Sequence, residues 1–180
     1  MKEGSIMNKD TILKERRSIL DRIMTDMQED LTPALMREPE GENDPPILSV
    51  VFEGIGMEHE EAFGEFYFLP LPDEKPLVQY FAAIITIADE LEDEHLSELF
   101  EAMSYINFTI PCGSYSIDSE KRFLAYRLTV PLPMDMDSEA LYNELNVVIG
   151  NAVAVADIHA DILLKVLSGE MSVEEVKKLL

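Results

Sequence analysis

The chain has no tryptophan, one cysteine, three histidines, and only 14 lysines and arginines against 36 aspartates and glutamates in 180 residues. Each shortage excludes something. A single cysteine, Cys112, permits no internal disulfide and fits a reducing compartment. No apolar signal core occurs in Met1–Asp10. The longest unbroken apolar run, Tyr80–Ile85, ends at Thr86 and falls far short of the roughly 20 residues of a membrane span. A soluble, cytoplasmic protein is therefore the expectation.

The shortage of basic residues is uneven. Formal net charge is −22, and seven of the 14 bases precede Pro39, Lys14, Arg16, Arg17 and Arg22 among them. From Glu38 to Glu120 there are 20 acids and one base, Lys75. Such a body repels phosphate backbones and anionic bilayers, which argues against nucleic-acid and membrane partners. Solubility alone accounts for a charge of this kind. The functional readings are a basic protein partner steered by the field, or mimicry of nucleic acid.

Recognisable reaction chemistry is missing too. No glycine-rich phosphate cradle, Ser–His–Asp order or paired-carboxylate motif stands out. Cys112 lies in Pro111–Cys112–Gly113, where a turn enters a strand, and reads as a packed or turn cysteine. A nucleophile there would need a neighbouring base, and His59 and His95 are embedded in acids. His159 lies between Asp157 and Asp161, but residues two apart on a helix point about 200° away from each other, so it reads as a core or interface histidine. The acidic run Asp89–Glu94 lacks the glycine turn and alternating ligands of a calcium loop, and suits the start of a helix instead. No catalytic residue, metal ligand or cofactor is assigned. Carboxylates brought together by folding are the remaining route to an enzyme of unrecognised type.

The elements present are well marked. Gly113–Ile117 and Arg122–Pro131 read as strands joined by a polar turn at Asp118–Lys121. After a cap region at Met134–Asp137, Leu141, Leu145, Val148, Ala152, Val155, His159, Ile162 and Val166 step by fours and threes, one apolar seam along a helix of about 30 residues. A second stripe, Tyr142, Ile149, Ala156 and Leu163, runs beside it. The middle of this helix thus calls for cover on nearly all sides, from the N-terminal helix or from a second copy, and a homodimer is expected. Gly150 costs about 1 kcal/mol relative to alanine, which close backbone approach would explain. The rival reading breaks the helix at Gly150–Asn151.

The spacing of Ile12, Arg16, Ile19, Ile23 and Met27 predicts an N-terminal helix over 8–30. Pro33, Pro39, Gly41, Pro45 and Pro46 mark 31–46 as a proline-rich linker. Three strand-like runs follow, Ile47–Ile55, Phe63–Leu71 and Leu77–Ala88, holding seven of the 14 aromatics and reading as an antiparallel meander. A second helix carries Leu96, Leu99, Phe100, Met103 and Ile106. Gly169 closes the long helix, and Ser172 with Glu175 forms a capping box for a short helix within 172–180. The expectation is a single α+β domain over 1–180, with an α+β core at 47–168 and helices on one face of the sheet.

This order of helix, meander, helix, two strands and long helix resembles the fold of type III secretion chaperones and of the YbjN-like bacterial sensory transduction regulators. Ser104–Pro133 carries the likeness: Tyr105–Ile106–Asn107 ending the second helix, Gly113 opening a strand, the turn at Asp118, Phe123–Leu124–Ala125–Tyr126–Arg127, and the exit Pro131–Leu132–Pro133. The resemblance implies a small, acidic, dimeric, non-enzymatic protein that holds a partner's unfolded segment on apolar sheet and helix surface. The linker and the extra C-terminal helix depart from the family pattern, and no family site residue carries over. On this reading the chain is a protein-binding module, with Phe66, Phe68 and Tyr80 as the candidate partner-binding residues. An acidic immunity-type inhibitor of a basic toxin or nuclease is the alternative.

Overall fold

A computed structural model describes residues 9–39, 41, 44–57, 60–71 and 77–180. In chain order the elements are α1 (Lys9–Glu29), β1 (Ala34–Arg37), β2 (Ile47–Ile55), β3 (Glu60–Phe68), β4 (Val78–Ala88), α2 (Leu96–Thr109), β5 (Ser114–Asp118), β6 (Phe123–Pro133), α3 (Ser138–Leu167) and α4 (Val173–Leu179). The strands form one antiparallel sheet in the order β1-β2-β3-β4-β6-β5. This is an α+β fold with the helices against the sheet.

One departure from expectation lies in the proline-rich segment. Residues 34–37 are not linker but a strand, pairing from Ala34 opposite Val50 to Arg37 opposite Ile47. Pro33 and Pro39 bracket a run too short to announce itself, and proline is tolerated beside an edge strand because no ladder bond is needed on its outer side. The β2–β3–β4 meander occurs as expected, shifted toward the N-terminus in β3. The β5–β6 hairpin is closed by Asp118, whose carboxylate accepts the amide N–H groups of Glu120 and Lys121 at 3.0 and 2.9 Å.

Side-chain alternation decides the core. Ala62, Phe66 and Phe68 on β3, Phe81, Ala83 and Ile85 on β4, and Leu124, Tyr126 and Leu128 on β6 point to the helical side and are buried. Gly64 shares that side; a methyl group there would meet the Phe52 ring at 2.6 Å and the Phe66 ring at 2.9 Å. The missing side chain lets those rings pack edge to face, centroids 6.2 Å apart.

α3 is one unbroken helix through Gly150. Asp137 caps its start, accepting from the Ala140 N–H at 2.9 Å, and Gly169 follows its end at φ 75°. By length and composition alone α3 could cross a membrane; here its apolar seam, from Leu141 through Leu145, Val148, Ala152 and Leu163 to Val166, is buried against the rest of the fold. α1 covers its first half: Arg22 pairs with Glu139 at 2.6 Å and lies 3.5 Å from the Tyr142 ring centroid, while Tyr142 donates to Asp26. α2 packs against α3 and α4. Among the described residues nothing stands within 4 Å of a Cβ placed on Gly150, so the reading of close backbone approach is corrected: that glycine faces open space. The second cover comes from α1 and α2, and Val147 and Ile158 remain 57% and 67% exposed.

Candidate functional site

The same alternation separates the three candidate partner residues. Phe66 is completely buried, and Phe68 is buried with its ring 5.2 Å from that of Phe81. Both belong to the core, so their assignment to a partner surface is corrected; strand parity turns them toward the helices. Tyr80, opposite Pro131, is on the other side and 45% exposed.

Among the described residues that other side carries no helix. Along it, Leu35 lies opposite Ser49, Ser49 opposite Glu65, and Glu65 opposite Ile84. In the next row Val51 faces Phe63, and Phe63 faces Thr86. Leu35 is 56% exposed and Phe63 is among the exposed large apolar side chains. Leu31 stands almost fully exposed at the end of α1, held at φ 63°, a conformation that leucine seldom adopts. Arg37 and Glu65 form an ion pair on this face.

Two hollows meet at Phe63 and Val51. One, of about 350 Å³, lies among Leu31, Leu35, Ser49, Val51 and Phe63. The other, of about 300 Å³, continues over Thr86 and Ala88 with Glu61 and Asp89 at its margin. Ser49 is buried in the first, and its hydroxyl has no hydrogen-bond partner among the described residues. An unsatisfied buried hydroxyl costs about 1–3 kcal/mol. An incoming polar group would relieve that cost, while the surrounding leucine, valine and phenylalanine would bury apolar area.

Side chains occupy part of both outer strands. Gln28 donates to the Ala34 carbonyl on β1 at 2.7 Å, and Asn107 bonds both backbone groups of Tyr115 on β5. This leaves the sheet face, rather than a free edge, as the larger contact surface.

The remaining polar candidates have structural partners. His159 is buried, stacks edge-on to Tyr115 with centroids 5.7 Å apart, and places Nδ1 3.0 Å from the Val155 carbonyl. Tyr115 donates to the same carbonyl at 2.7 Å, and burial pushes its hydroxyl pKa well up. Asp157 and Asp161 turn elsewhere, accepting the N–H groups of Gly56 at 2.7 Å and of Met57 at 2.9 Å, which pins the β2–β3 turn to α3. Cys112 is exposed and its carbonyl accepts from the Tyr126 hydroxyl. Among the described residues no three histidine, cysteine, aspartate or glutamate side chains group as a metal site.

Leu35, Ser49 and Phe63 were missed in the sequence. Parity held the clue for Phe63, which differs by an odd number from Phe66. Leu35 was hidden by the prolines around it, and an unpaired Ser49 has no sequence signature. Comparison with known proteins yields no match, neither a family model nor a curated protein.

Proposed function

We propose that this chain is a non-catalytic protein-binding module, chaperone-like or regulatory, that holds a segment of a protein partner on the open face of its sheet. The observation that carries this reading is the set of exposed apolar side chains around the hollow floored by the unpartnered Ser49 hydroxyl. Contiguous apolar surface on one face is a mark of an interaction site. The partner segment brings apolar side chains for Leu35, Val51 and Phe63, one hydrogen-bonding group for Ser49, and basic flanks to suit the acids Glu61 and Asp89. The likeness to YbjN-like regulators and secretion chaperones is part of the same proposal. So is self-association as a homodimer, for which Val147 and Ile158 on α3 are the exposed apolar residues.

The test is affinity capture from the native cell, with wild-type protein beside Leu35→Glu and Phe63→Glu. Phe108→Glu serves as the control, at a position almost fully exposed elsewhere. The expected result is one stoichiometric partner, lost from the two sheet-face variants and kept by the control. A partner retained by both sheet-face variants, with their circular dichroism unchanged, defeats the reading.

The charge favours a second reading, an acidic inhibitor that caps a basic toxin or nuclease. At −22, electrostatic attraction would dominate such a complex and fade with salt. A partner lost in high salt and indifferent to Leu35→Glu supports the inhibitor; one that survives high salt supports the sheet face.

A further inference from the structure

On the opposite, helix-covered side of the sheet, a cavity of about 330 Å³ opens between the start of α1 and the end of β3. Arg16 lines it and is only 4% exposed. Its Nε donates to Gln79 Oε1 at 2.9 Å, its Nη1 to the Leu69 carbonyl at 3.0 Å, and its guanidinium carbon lies 4.7 Å from the Phe68 ring centroid. All these partners are uncharged. Nη2 is buried with no partner among the described residues. Burial lowers the Arg16 pKa to about 10, so the group is still a cation at neutral pH. In a chain with 36 acids, a buried arginine whose hydrogen bonds among the described residues go only to neutral groups is conspicuous. Buried charges are ordinarily paired.

We propose that this cavity binds a small monocarboxylate with an apolar body, the carboxylate against the guanidinium of Arg16. Guanidinium has five N–H donors, and the two bonds to Gln79 and Leu69 leave the Nη2 end without an acceptor. A planar carboxylate matches the guanidinium geometry. Leu13, Leu20, Leu71, Pro45, Pro46 and Pro70 supply apolar walls, and the prolines hold their part of the wall stiff. Lys9 and Asp44 also line the cavity; with Arg16 the lining carries one net positive charge, which suits a monoanion better than a doubly charged phosphate or dicarboxylate. The volume lies at the small end of ligand sites, suited to a medium-length acyl chain or one apolar residue. This site goes beyond the partner-binding reading and shares no residue with the Ser49 hollow.

Titration calorimetry and thermal unfolding with octanoate, 1-octanol and octyl phosphate test the assignment on the full chain. Octanoate is expected to bind and raise the unfolding midpoint, with octanol and octyl phosphate about tenfold weaker or worse. Arg16→Met and Leu13→Glu are each expected to weaken octanoate by about tenfold or more. Leu13 is half-exposed on α1, so its variant keeps the test decisive if Arg16→Met fails to fold. A tripeptide ending in Leu-Leu, as free acid and as amide, separates two sources of the same chemistry. Tighter binding of the free-acid peptide than of octanoate assigns the site to a chain terminus; the reverse assigns it to a free acid. The proposal is overturned if neither octanoate nor the free-acid peptide binds wild type, if octanol binds as well as octanoate, or if folded Leu13→Glu binds like wild type. None of these outcomes bears on capture by Leu35 and Phe63, so the two readings fail separately.

Discussion

Asn107 closes the outer edge of the sheet at Tyr115. Its Nδ2 donates to the Tyr115 carbonyl at 3.1 Å, and its Oδ1 accepts from the Tyr115 N–H at 2.7 Å. One side-chain amide thus takes the place that a seventh strand would offer. Replacing Asn107 with alanine leaves both groups unsatisfied beside a buried tyrosine, at an expected cost of about 1–3 kcal/mol. Urea unfolding should show that loss. Light scattering should show self-association through the opened edge. A variant as stable and as monodisperse as wild type would refute the edge-closing role.

Phe66 and Tyr80 make a matched pair across the sheet. Phe66→Ala empties a fully buried site against Phe52 and should cost about 3–5 kcal/mol. Tyr80→Ala removes a half-exposed ring from the open face and should cost under about 1 kcal/mol. Equal losses in chemical denaturation would mean that the faces of β3 and β4 are assigned wrongly.

Gly150 sits on an exposed turn in the middle of α3 with no described residue near its missing side chain. Gly150→Ala should therefore stabilise the chain by about 0.5–1 kcal/mol, raising the thermal midpoint. A lowered midpoint together with a lower mass in light scattering would instead place Gly150 inside a subunit contact.

If α3 forms the proposed homodimer, Val147→Asp and Ile158→Asp should give folded monomers, because both residues are exposed. Val148→Asp is no substitute, since Val148 is buried and its charge would unfold the chain. A mass that is unchanged between wild type and both exposed variants would eliminate this helix as the dimer surface.

Tyr115 and Tyr126 set the alkaline limit. Burial raises both hydroxyls above the ordinary value of 10.0, with the neighbouring Tyr126 adding to the effect on Tyr115 and Cys112 to that on Tyr126. The unfolded chain releases these protons at lower pH than the folded one. Stability is therefore intact below about pH 10 and declines as pH rises beyond it. In an absorbance titration these two tyrosines should ionise together with loss of the native circular dichroism. Ionisation of all six tyrosines within a still-native fold would contradict their burial.

Most of the element boundaries could be read directly because their causes are local. The spacing from Leu141 to Val166 marked α3, Asp118 marked the hairpin turn, and Ser172 with Glu175 marked the start of α4, where the Glu175 carboxylate accepts the Ser172 N–H at 2.9 Å. Each depends on residues within a turn or two of each other, so a linear reading captures the interaction itself. β1 escaped that reading because Ala34–Arg37 becomes a strand only by pairing with β2, and the prolines around it argued for a linker.

The site was less legible than the fold. Alternation sorts Phe63 from Phe66 and Phe68, but it does not say which set the helices cover. That choice rests on the route of the chain, which sets β6 beside β4 and returns α1 and α3 to one side of the sheet. Arg16 fell on the apolar seam of α1 in the sequence, yet its lack of a carboxylate partner among the described residues emerges only where Gln79, Leu69 and Phe68 gather around it. The sequence by itself determined the helices, the turns and the acidic surface, because short-range periodicity, capping and composition govern them. Tertiary structure alone decided which aromatics became core, which face stayed open and where a cation was buried, because those depend on contacts between separate elements, 63 and 53 positions apart for the bonds of Arg16 to Gln79 and Leu69.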